Sequence, residues 1–363
     1  MSRADISRQE KFSGTKDVIP RHRFDERRLE RYLSAHIADF RGPLKVQQFR
    51  GGQSNPTYLL LTPSAKYVLR RKPPGKLLPS AHAVDREFRI ISALHHNGFP
   101  VPKAHILVED EEVIGTMFYV MDFVEGRLFW DPDLPGLTPD ERTRIYDAMN
   151  ETIAALHQVD FAALGLGDYG KPGNYFARQV ARWSKQYAAS QTETIVEMDK
   201  LMAWLPGSIP SDDSVSIVHG DFRLDNMILH PSEPRVLAVL DWELSTLGHP
   251  LGDFSYHLMP WYMPEEVNIG GLVSLRKFDL QALGIPSQEE YLSAYCERTG
   301  REMDDNQDFY AAYNLFRMAG ILQGIAGRVR DGTASNEHAS EMGNYVRPLA
   351  VEGWRFAQRA GAA

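Results

Sequence analysis

The distribution of apolar residues changes at Gly126, and this change restricts the folds that the chain can adopt. Before Gly126, "KVQQFRGGQSNPTYLLLTPSAKYVLRRKPPG" and "HILVEDEEVIGTMFYVMDFVEG" alternate apolar runs with Gly- and Pro-containing turns, which predicts antiparallel strands. After Gly126, apolar residues recur mainly at helical spacing, apart from short strands predicted over residues 215–241. The sequence therefore predicts an α+β fold, with a small β-rich part followed by a larger, mainly helical part.

Composition and charge exclude several classes of function. The chain has 363 residues, enough for two domains or lobes, and its net charge of -8 argues against a nucleic-acid partner. Cys296 is the only cysteine, so we expect no intrachain disulfide framework and a reducing compartment. No apolar run approaches the roughly 18 residues of a membrane span, and the N-terminus lacks the apolar core of a signal peptide. We therefore expect a cytoplasmic protein without a membrane partner.

Two segments place polar residues at the ends of predicted buried strands. "IVHGDFRLDNMILHP" carries His219, Asp221 and Asn226 between apolar runs, and "VLAVLDWELSTLGHPLGD" delivers Asp241 at the end of another. Partly buried carboxylates are unfavourable unless they are paired or bind a metal. Two carboxylates and an amide suit phosphoryl transfer, in which one carboxylate deprotonates a hydroxyl and the other groups hold Mg²⁺. The alternative is a set of turn residues that cap strand ends, which the order and spacing of the residues disfavour.

The motif "HGDFRLDN", followed by "LDWE", resembles the aminoglycoside-phosphotransferase-like branch of the protein-kinase fold, in which HGDxxxxN replaces HRDxxxxN. The resemblance covers roughly residues 25–350. It implies a two-lobed, protein-kinase-like α+β fold with a small β-rich N-lobe, a larger mainly helical C-lobe, and ATP and Mg²⁺ as cofactors. The boundaries that follow are a tail at 1–24, a nucleotide-binding N-lobe at 25–122, and a C-lobe at 123–363 with the catalytic loop and substrate-binding helices.

The resemblance also implies roles for individual residues of the C-lobe. Asp221 is the expected catalytic aspartate, and His219 is expected to brace its loop. Asn226 and Asp241 are the expected metal ligands, while Asp253 in "GHPLGDFSY" matches the buried structural aspartate of the family.

In the N-lobe, the resemblance implies a nucleotide site. Gly52 and Ser54 in "FRGGQSNPTY" match the loop that covers the phosphates, although they could also form a simple hairpin turn. Glu87 matches the helix glutamate that pairs with a basic residue of the preceding strand. Asp122 and Val124 are expected to meet adenine through backbone groups.

One position departs from the family pattern. The residue expected to be the phosphate-binding lysine is Arg70, with Arg71 and Lys72 as alternatives in a shifted register. Arginine is always charged and forms bidentate hydrogen bonds, so Arg70 can still bridge phosphate and Glu87. This substitution also motivates a rival hypothesis, a non-catalytic nucleotide-binding scaffold.

The expected substrate is a small molecule with a hydroxyl group. Eleven residues separate Asp241 from Asp253, too few for a long activation loop, and no APE motif follows. "GGQSNPTY", "VLRRKPPG", "HGDFRLDN" and "VLAVLDWELSTLGHP" together are most similar to kinase domains fused to, or encoded beside, acyl-CoA dehydrogenases. That resemblance implies phosphorylation of a hydroxyacyl-CoA, notably a 4-hydroxyacyl-CoA, with any acyl-CoA dehydrogenase partner being a separate protein.

A basic stripe gives this substrate some support. Arg178, Arg182 and Lys185 lie on one face of a predicted helix, where they could receive the phosphates of CoA or simply form a solvated face. A cationic aminoglycoside would favour clustered acidic residues instead. A kinase of another small hydroxyl compound, such as an amino sugar or a choline-like alcohol, is the second hypothesis.

Overall fold

The fold is given by a computed structural model that describes residues 14–50, 55–73, 83–269, 271–303, 305–332 and 339–363. Its contacts divide the chain into two compact units. Unit 1 comprises Met1–Trp130 and Asn226–Leu244, and unit 2 comprises Asp131–Asp225 and Ser245–Ala363. Among the described residues, no helix combines the length and apolarity that crossing a membrane requires.

Unit 1 is built on an antiparallel sheet of six strands in the order β1-β2-β3-β4-β6-β5. The strands are β1 (Thr15–Lys16), β2 (Lys45–Phe49), β3 (Thr57–Leu61), β4 (Lys66–Arg71), β5 (Ala104–Val108) and β6 (Phe118–Asp122). Both hairpins expected from the sequence are present, because β3 pairs with β4 and β5 pairs with β6. Thr15 and Lys16, within the tail expected at 1–24, pair with Phe49 and Gln48 at the edge of the sheet.

Two helices accompany this sheet, α1 (Glu26–His36) and α2 (Val84–His96). Asp25 caps α1, because its side chain accepts a hydrogen bond from the Arg28 backbone N–H. Leu29 and Leu33, one helical turn apart, are buried in the hydrophobic core beneath the sheet. This periodicity explains why the amphipathic segment forms a helix here.

A short hairpin from the second half of the sequence belongs to unit 1. Its strands are β8 (Met227–Leu229) and β9 (Val236–Val239), which pair antiparallel. Backbone hydrogen bonds join it to the rest of the unit, from Val239 N to Pro100 O (2.8 Å) and from Arg127 N to Leu229 O (2.7 Å). These backbone bonds join the hairpin, which lies within the expected C-lobe range 123–363, to the β-rich unit.

Unit 2 is mainly helical. Its helices are α3 (Pro139–His157), α4 (Tyr175–Ser190), α5 (Val196–Trp204), α6 (Pro250–His257), α7 (Met259–Tyr262), α8 (Leu280–Leu283), α9 (Gln288–Thr299), α10 (Gln307–Arg330), α11 (Ala339–Met342) and α12 (Val346–Arg359). The capping box expected at Thr138 and Glu141 is present, since each residue bonds the other's backbone N–H. The long helix α10 is buried along most of its length and packs against α4 and α12.

Two small antiparallel pairs complete unit 2. They are β7 (Ser216–Val218) with β10 (Thr246–Gly248), and β11 (Asn268–Ile269) with β12 (Leu272–Val273). Because β7 leads directly into His219 and β10 leads directly into α6, their pairing brings the start of α6 close to the polar segment that follows β7.

Candidate active site

The loop after β7 is held by a carboxylate from α6. The backbone N–H groups of His219 and Gly220 donate to the two oxygens of Asp253, at 2.7 and 2.8 Å. Gly220 has a φ of +82°, a conformation that favours glycine. Asp253 is buried, as expected for a structural aspartate, and fixes the path of the loop.

Asp253 has a second partner that keeps it ionised. His157 Nε2 lies 3.3 Å from Asp253 Oδ2, and both side chains are buried. Burial alone would raise the pKa of Asp253, but the hydrogen bond and charge interaction with His157 lower it below its usual value. The loop is thus anchored to a carboxylate, which is a strong acceptor for backbone N–H groups.

Asp221 is the acidic residue that this loop presents. The Tyr256 hydroxyl donates to Asp221 Oδ1 at 2.6 Å, and Arg223 Nε lies 3.0 Å from the same oxygen. Arg223 also pairs with Asp225, at 3.2 Å. Burial and the Asp221 carboxylate raise the pKa of Tyr256 well above its usual value, so the hydroxyl stays protonated and acts as a donor.

His219 occupies a position that stabilises the loop. Its side chain is fully buried, and Nδ1 accepts a hydrogen bond from the backbone N–H of Asp221 at 3.2 Å. This contact ties the His219 ring to the backbone on the far side of Gly220.

Buried His257, on α6 beneath the same loop, makes the stability of the protein depend on pH. Nδ1 contacts the Phe222 carbonyl at 3.2 Å, and Nε2 contacts the Tyr291 hydroxyl at 2.8 Å. Burial lowers the pKa of His257 from 6.5 to about 4. Between these values the unfolded chain binds more protons than the folded one, so lowering the pH favours unfolding.

We therefore expect the free energy of unfolding to fall as the pH drops from about 6.5 towards 4, by up to roughly 3 kcal/mol from His257. Urea titrations across this range measure the effect. His257→Gln retains polar groups but does not titrate, so its pH dependence should be weaker by a similar amount. An unchanged dependence in this variant would exclude His257 as the source.

In unit 1, Arg70 lies at the centre of a cluster of carboxylates. Its Nε lies 2.9 Å from Glu87 Oε2, and its Nη2 lies 2.5 Å from Asp241 Oδ1 and 3.1 Å from Glu243 Oε2. Burial alone would lower the pKa of Arg70, but the carboxylates of Asp241 and Glu87 raise it above its usual value. The structure thus pairs Arg70, rather than Arg71, with Glu87. Arg71 points elsewhere and donates to the carbonyls of His22 and Ile114.

Glu87 has further partners on the same cluster. The Tyr119 hydroxyl donates to its Oε2 at 3.1 Å, and Asn55 Nδ2 donates to its Oε1 at 3.0 Å. The pKa of Glu87 is raised to about 7, chiefly by burial and also by the carboxylates of Asp241 and Glu243, although the Arg70 guanidinium acts to lower it. The ionised form of Glu87 therefore depends on the Arg70 guanidinium.

Asn226 and Asp241 lie at the same end of the β8–β9 hairpin. Asn226 precedes β8, Asp241 is the second residue after β9, and the Leu240 backbone N–H donates to the Asn226 carbonyl at 2.8 Å. Asp241 has a φ of +65°, a conformation that is uncommon for a residue other than glycine and often marks a functional site.

This pair is suited to Mg²⁺. A side-chain amide and a carboxylate supply hard oxygen ligands, and Mg²⁺ in kinases is held by few protein groups together with the phosphates. Within the described residues, no group of three or more His, Cys, Asp or Glu is arranged as a complete metal cage. The donor set therefore fits a cation shared with a nucleotide better than a structural metal.

The remaining nucleotide residues of the sequence analysis divide into two groups. Gly52 and Ser54 lie outside the described residues. Asp122 ends β6 and Val124 follows it, half-buried. The backbone N–H of Asp122 donates to the Lys103 carbonyl at 2.9 Å. The backbone carbonyl of Asp122 is therefore the group that would contact adenine. The adenine contacts stay a prediction.

The basic stripe on α4 is only partly available to a ligand. Arg178 donates to the backbone carbonyls of Gly173 and Lys171, so it stabilises the loop before the helix. Arg182 and Lys185 are exposed, and the Arg182 guanidinium stacks over Trp183 at 5.2 Å.

Several residues of the site were not identified from the sequence. Glu243 could have been found as the second acid of "DWE", and Arg223 as the cation inside "HGDFRLDN". Tyr256 and Asn55 have no such signal, because one is a tyrosine in an apolar helix and the other a residue of a turn.

Comparisons with known proteins agree with the fold and the motifs. Residues 45–313, most of the chain, match the model of the phosphotransferase enzyme family. Acyl-CoA dehydrogenase family member 11 from Mus musculus is 46% identical over 356 residues, which are 96% of this chain and 45% of that protein. The chain spans 31–45% of the length of the curated relatives that it matches.

Two solved structures extend the comparison. One from Ralstonia eutropha, described as a candidate aminoglycoside phosphotransferase, is 53% identical with a TM-score of 0.84, covering 93% of this chain and 99% of that one. A mutant of aminoglycoside phosphotransferase APH(4)-Ia, solved with AMP-PNP and hygromycin B, is 16% identical with a TM-score of 0.58, covering 91% and 98%. The second likeness shows the fold alone. Both confirm the α+β, protein-kinase-like fold.

A kinase-like fold of this type implies the use of ATP, and membership of this family suggests a small-molecule substrate. The chain belongs to the phosphotransferase enzyme family and is a kinase-type phosphotransferase with a hydroxyl group as acceptor.

Proposed function

We propose that the protein transfers the γ-phosphoryl group of ATP to the hydroxyl of a hydroxyacyl-CoA, with a 4-hydroxyacyl-CoA as the first candidate. The observation that carries the substrate class is the similarity to acyl-CoA dehydrogenase family members along nearly the whole chain, at 46% identity with the mouse member 11. Phosphate would turn the hydroxyl into a leaving group. An acyl-CoA dehydrogenase acting in the same reaction sequence is the partner that these relatives suggest.

In this proposal, Asp221 orients the acceptor hydroxyl and takes its proton as the oxygen attacks the γ-phosphorus. His219 and Asp253 support this role by fixing the backbone on either side of Gly220. Because the loop is already held by buried hydrogen bonds, little reorganisation is needed when substrate binds.

Asn226 and Asp241 would hold Mg²⁺ against the phosphates. When bound, the cation neutralises charge on the β- and γ-phosphates. Arg70, braced by Glu87, would add a positive charge to the same phosphates, and Gly52 and Ser54 would cover them. The position of Arg70 supports this role, since its guanidinium already contacts Asp241.

A substrate screen tests the proposal. We expect Mg-ATP consumption, and a phosphorylated product by mass spectrometry, with 4-hydroxyacyl-CoA but not with aminoglycosides or choline. Free hydroxy acids and the matching N-acetylcysteamine thioesters serve as matched acceptors that lack CoA. If CoA is recognised, kcat/KM for the CoA thioester should exceed theirs by about tenfold or more, since each well-made charged contact contributes roughly 1.5–3 kcal/mol.

Two outcomes would contradict the hydroxyacyl-CoA assignment. Phosphorylation of an aminoglycoside would favour the second candidate, which rests on the description of the 53% identical structure from Ralstonia eutropha. Binding of Mg-ATP with no transfer to any of these acceptors would favour a nucleotide-binding scaffold.

A further inference from the structure

The carboxylate of Asp221 is contacted on one oxygen by two donors. The Tyr256 hydroxyl lies 2.6 Å from Oδ1, and Arg223 Nε lies 3.0 Å from the same atom. Tyr256 is buried on α6, so its hydroxyl cannot turn to water for a partner without unpacking the ring. A short hydrogen bond to an ionised carboxylate is among the stronger polar contacts in a protein.

Behind Tyr256 lies a buried cation that contacts the same loop. Arg317, on α10, has 6% of its surface exposed, and its Nη2 donates to the Gly220 carbonyl at 2.7 Å. Its guanidinium carbon lies 4.9 Å from the centre of the Tyr256 ring and 5.9 Å from that of Trp183. The cation over the face of Tyr256 stabilises the orientation of that ring.

These contacts connect α10 and α6 to the acid at the centre of the site. Arg317 fixes the carbonyl of the residue before Asp221 and, through its stacking, the ring of Tyr256. Tyr256 in turn fixes one oxygen of Asp221. The side chain of Asp221 is therefore restrained at its backbone and at one carboxylate oxygen, and rotation about its side-chain bonds would break the Tyr256 contact.

We propose that Tyr256, supported by Arg317, is a positioning residue that holds Asp221 Oδ1 and so orients the carboxylate that accepts the proton of the substrate hydroxyl. The substrate hydroxyl gives its proton to the Asp221 carboxylate while its oxygen forms a bond to the γ-phosphorus. The bond from that phosphorus to the β,γ-bridging oxygen breaks, and ADP leaves with the electron pair. This inference rests on the proposed role of Asp221 as the base.

The test removes only the hydroxyl, with Tyr256→Phe. We expect kcat to fall about 10- to 100-fold, the equivalent of one hydrogen bond to a charged group, while KM for ATP and for the acceptor stays within about twofold. The assay uses the full chain with whichever acceptor it phosphorylates, because the split between kcat and KM does not depend on the acceptor's identity.

Tyr262→Phe is the matched control. Tyr262 is a buried tyrosine on α7 whose hydroxyl donates to the Ser255 carbonyl at 2.7 Å, so its loss removes a comparable bond without touching the loop. We expect both variants to unfold at similar temperatures and only Tyr256→Phe to lose kcat.

Two results would overturn the inference. One is a kcat for Tyr256→Phe within twofold of the unmodified protein, and the other is an equal loss of kcat in both variants. Either result would leave the role of Asp221 intact if Asp221→Asn still abolishes transfer, so failure of the inference is distinguishable from failure of the proposed function.

Discussion

Asp221→Asn is expected to lower kcat by about 10³-fold or more while leaving the affinity for Mg-ATP nearly unchanged. The asparagine keeps the size of the side chain and can still accept from Tyr256, but it cannot take the proton of the acceptor hydroxyl. Its amide is also neutral, so Arg223 loses one of the two carboxylates that it pairs with and keeps Asp225. Steady-state kinetics and calorimetric titration with a non-hydrolysable ATP analogue measure the two quantities separately.

Asp147→Asn provides the control for this change. Asp147 is an exposed aspartate that pairs with Arg298 at 2.6 Å. Exposed ion pairs contribute little to stability, so we expect kcat and stability close to those of the unmodified protein. Turnover of Asp221→Asn within about tenfold of the unmodified protein would show that Asp221 is not the base.

Arg70→Met is expected to reduce the free energy of unfolding by about 3–5 kcal/mol. Arg70 is buried against Glu87, whose side chain is 1% exposed, and it also contacts Asp241 and Glu243. Methionine fills much of the space but leaves these carboxylates without their cation. Glu87, whose pKa is already about 7, would then be driven towards its neutral form.

A double-mutant cycle identifies the cause of this loss. If the uncompensated charge of Glu87 is responsible, Arg70→Met with Glu87→Gln should be more stable than Arg70→Met alone. Arg70→Lys keeps the charge, but an ammonium group cannot contact Glu87 and Asp241 at once as the guanidinium does. We therefore expect a stability between those of Arg70→Met and the unmodified protein, and a raised KM for ATP. An unfolding free energy for Arg70→Met equal to that of the unmodified protein would contradict the central role of the ion pair.

Much of the fold could be predicted because it is encoded locally. The spacing of apolar residues predicts both hairpins of unit 1, and the Thr138–Glu141 capping box predicts the start of α3. The resemblance to the kinase-like family implies that a basic residue of β4 pairs with Glu87, and in the structure Arg70 Nε lies 2.9 Å from Glu87 Oε2. The roles of Asp221, Asn226 and Asp241 remain proposals, supported by where the loop and the β8–β9 hairpin place them.

Other features depend on contacts between distant parts of the chain. The hairpin β8–β9 joins unit 1 through backbone bonds to Pro100 and Arg127, which no pattern within the hairpin indicates. Thr15 and Lys16 form an edge strand of two residues, which is too short for a sequence pattern to indicate. Tyr256 reaches Asp221 only because β10 pairs with β7 and starts α6 beside the loop.

The anchoring of the loop by Asp253 has a consequence for the order of events during synthesis. His219 and Gly220 leave the ribosome more than thirty residues before the carboxylate that binds their N–H groups. Arg317, which binds the Gly220 carbonyl, emerges 97 residues after it. The residues of the loop are therefore synthesised well before the side chains that fix its conformation. The loop is fully anchored only after α10 has been translated.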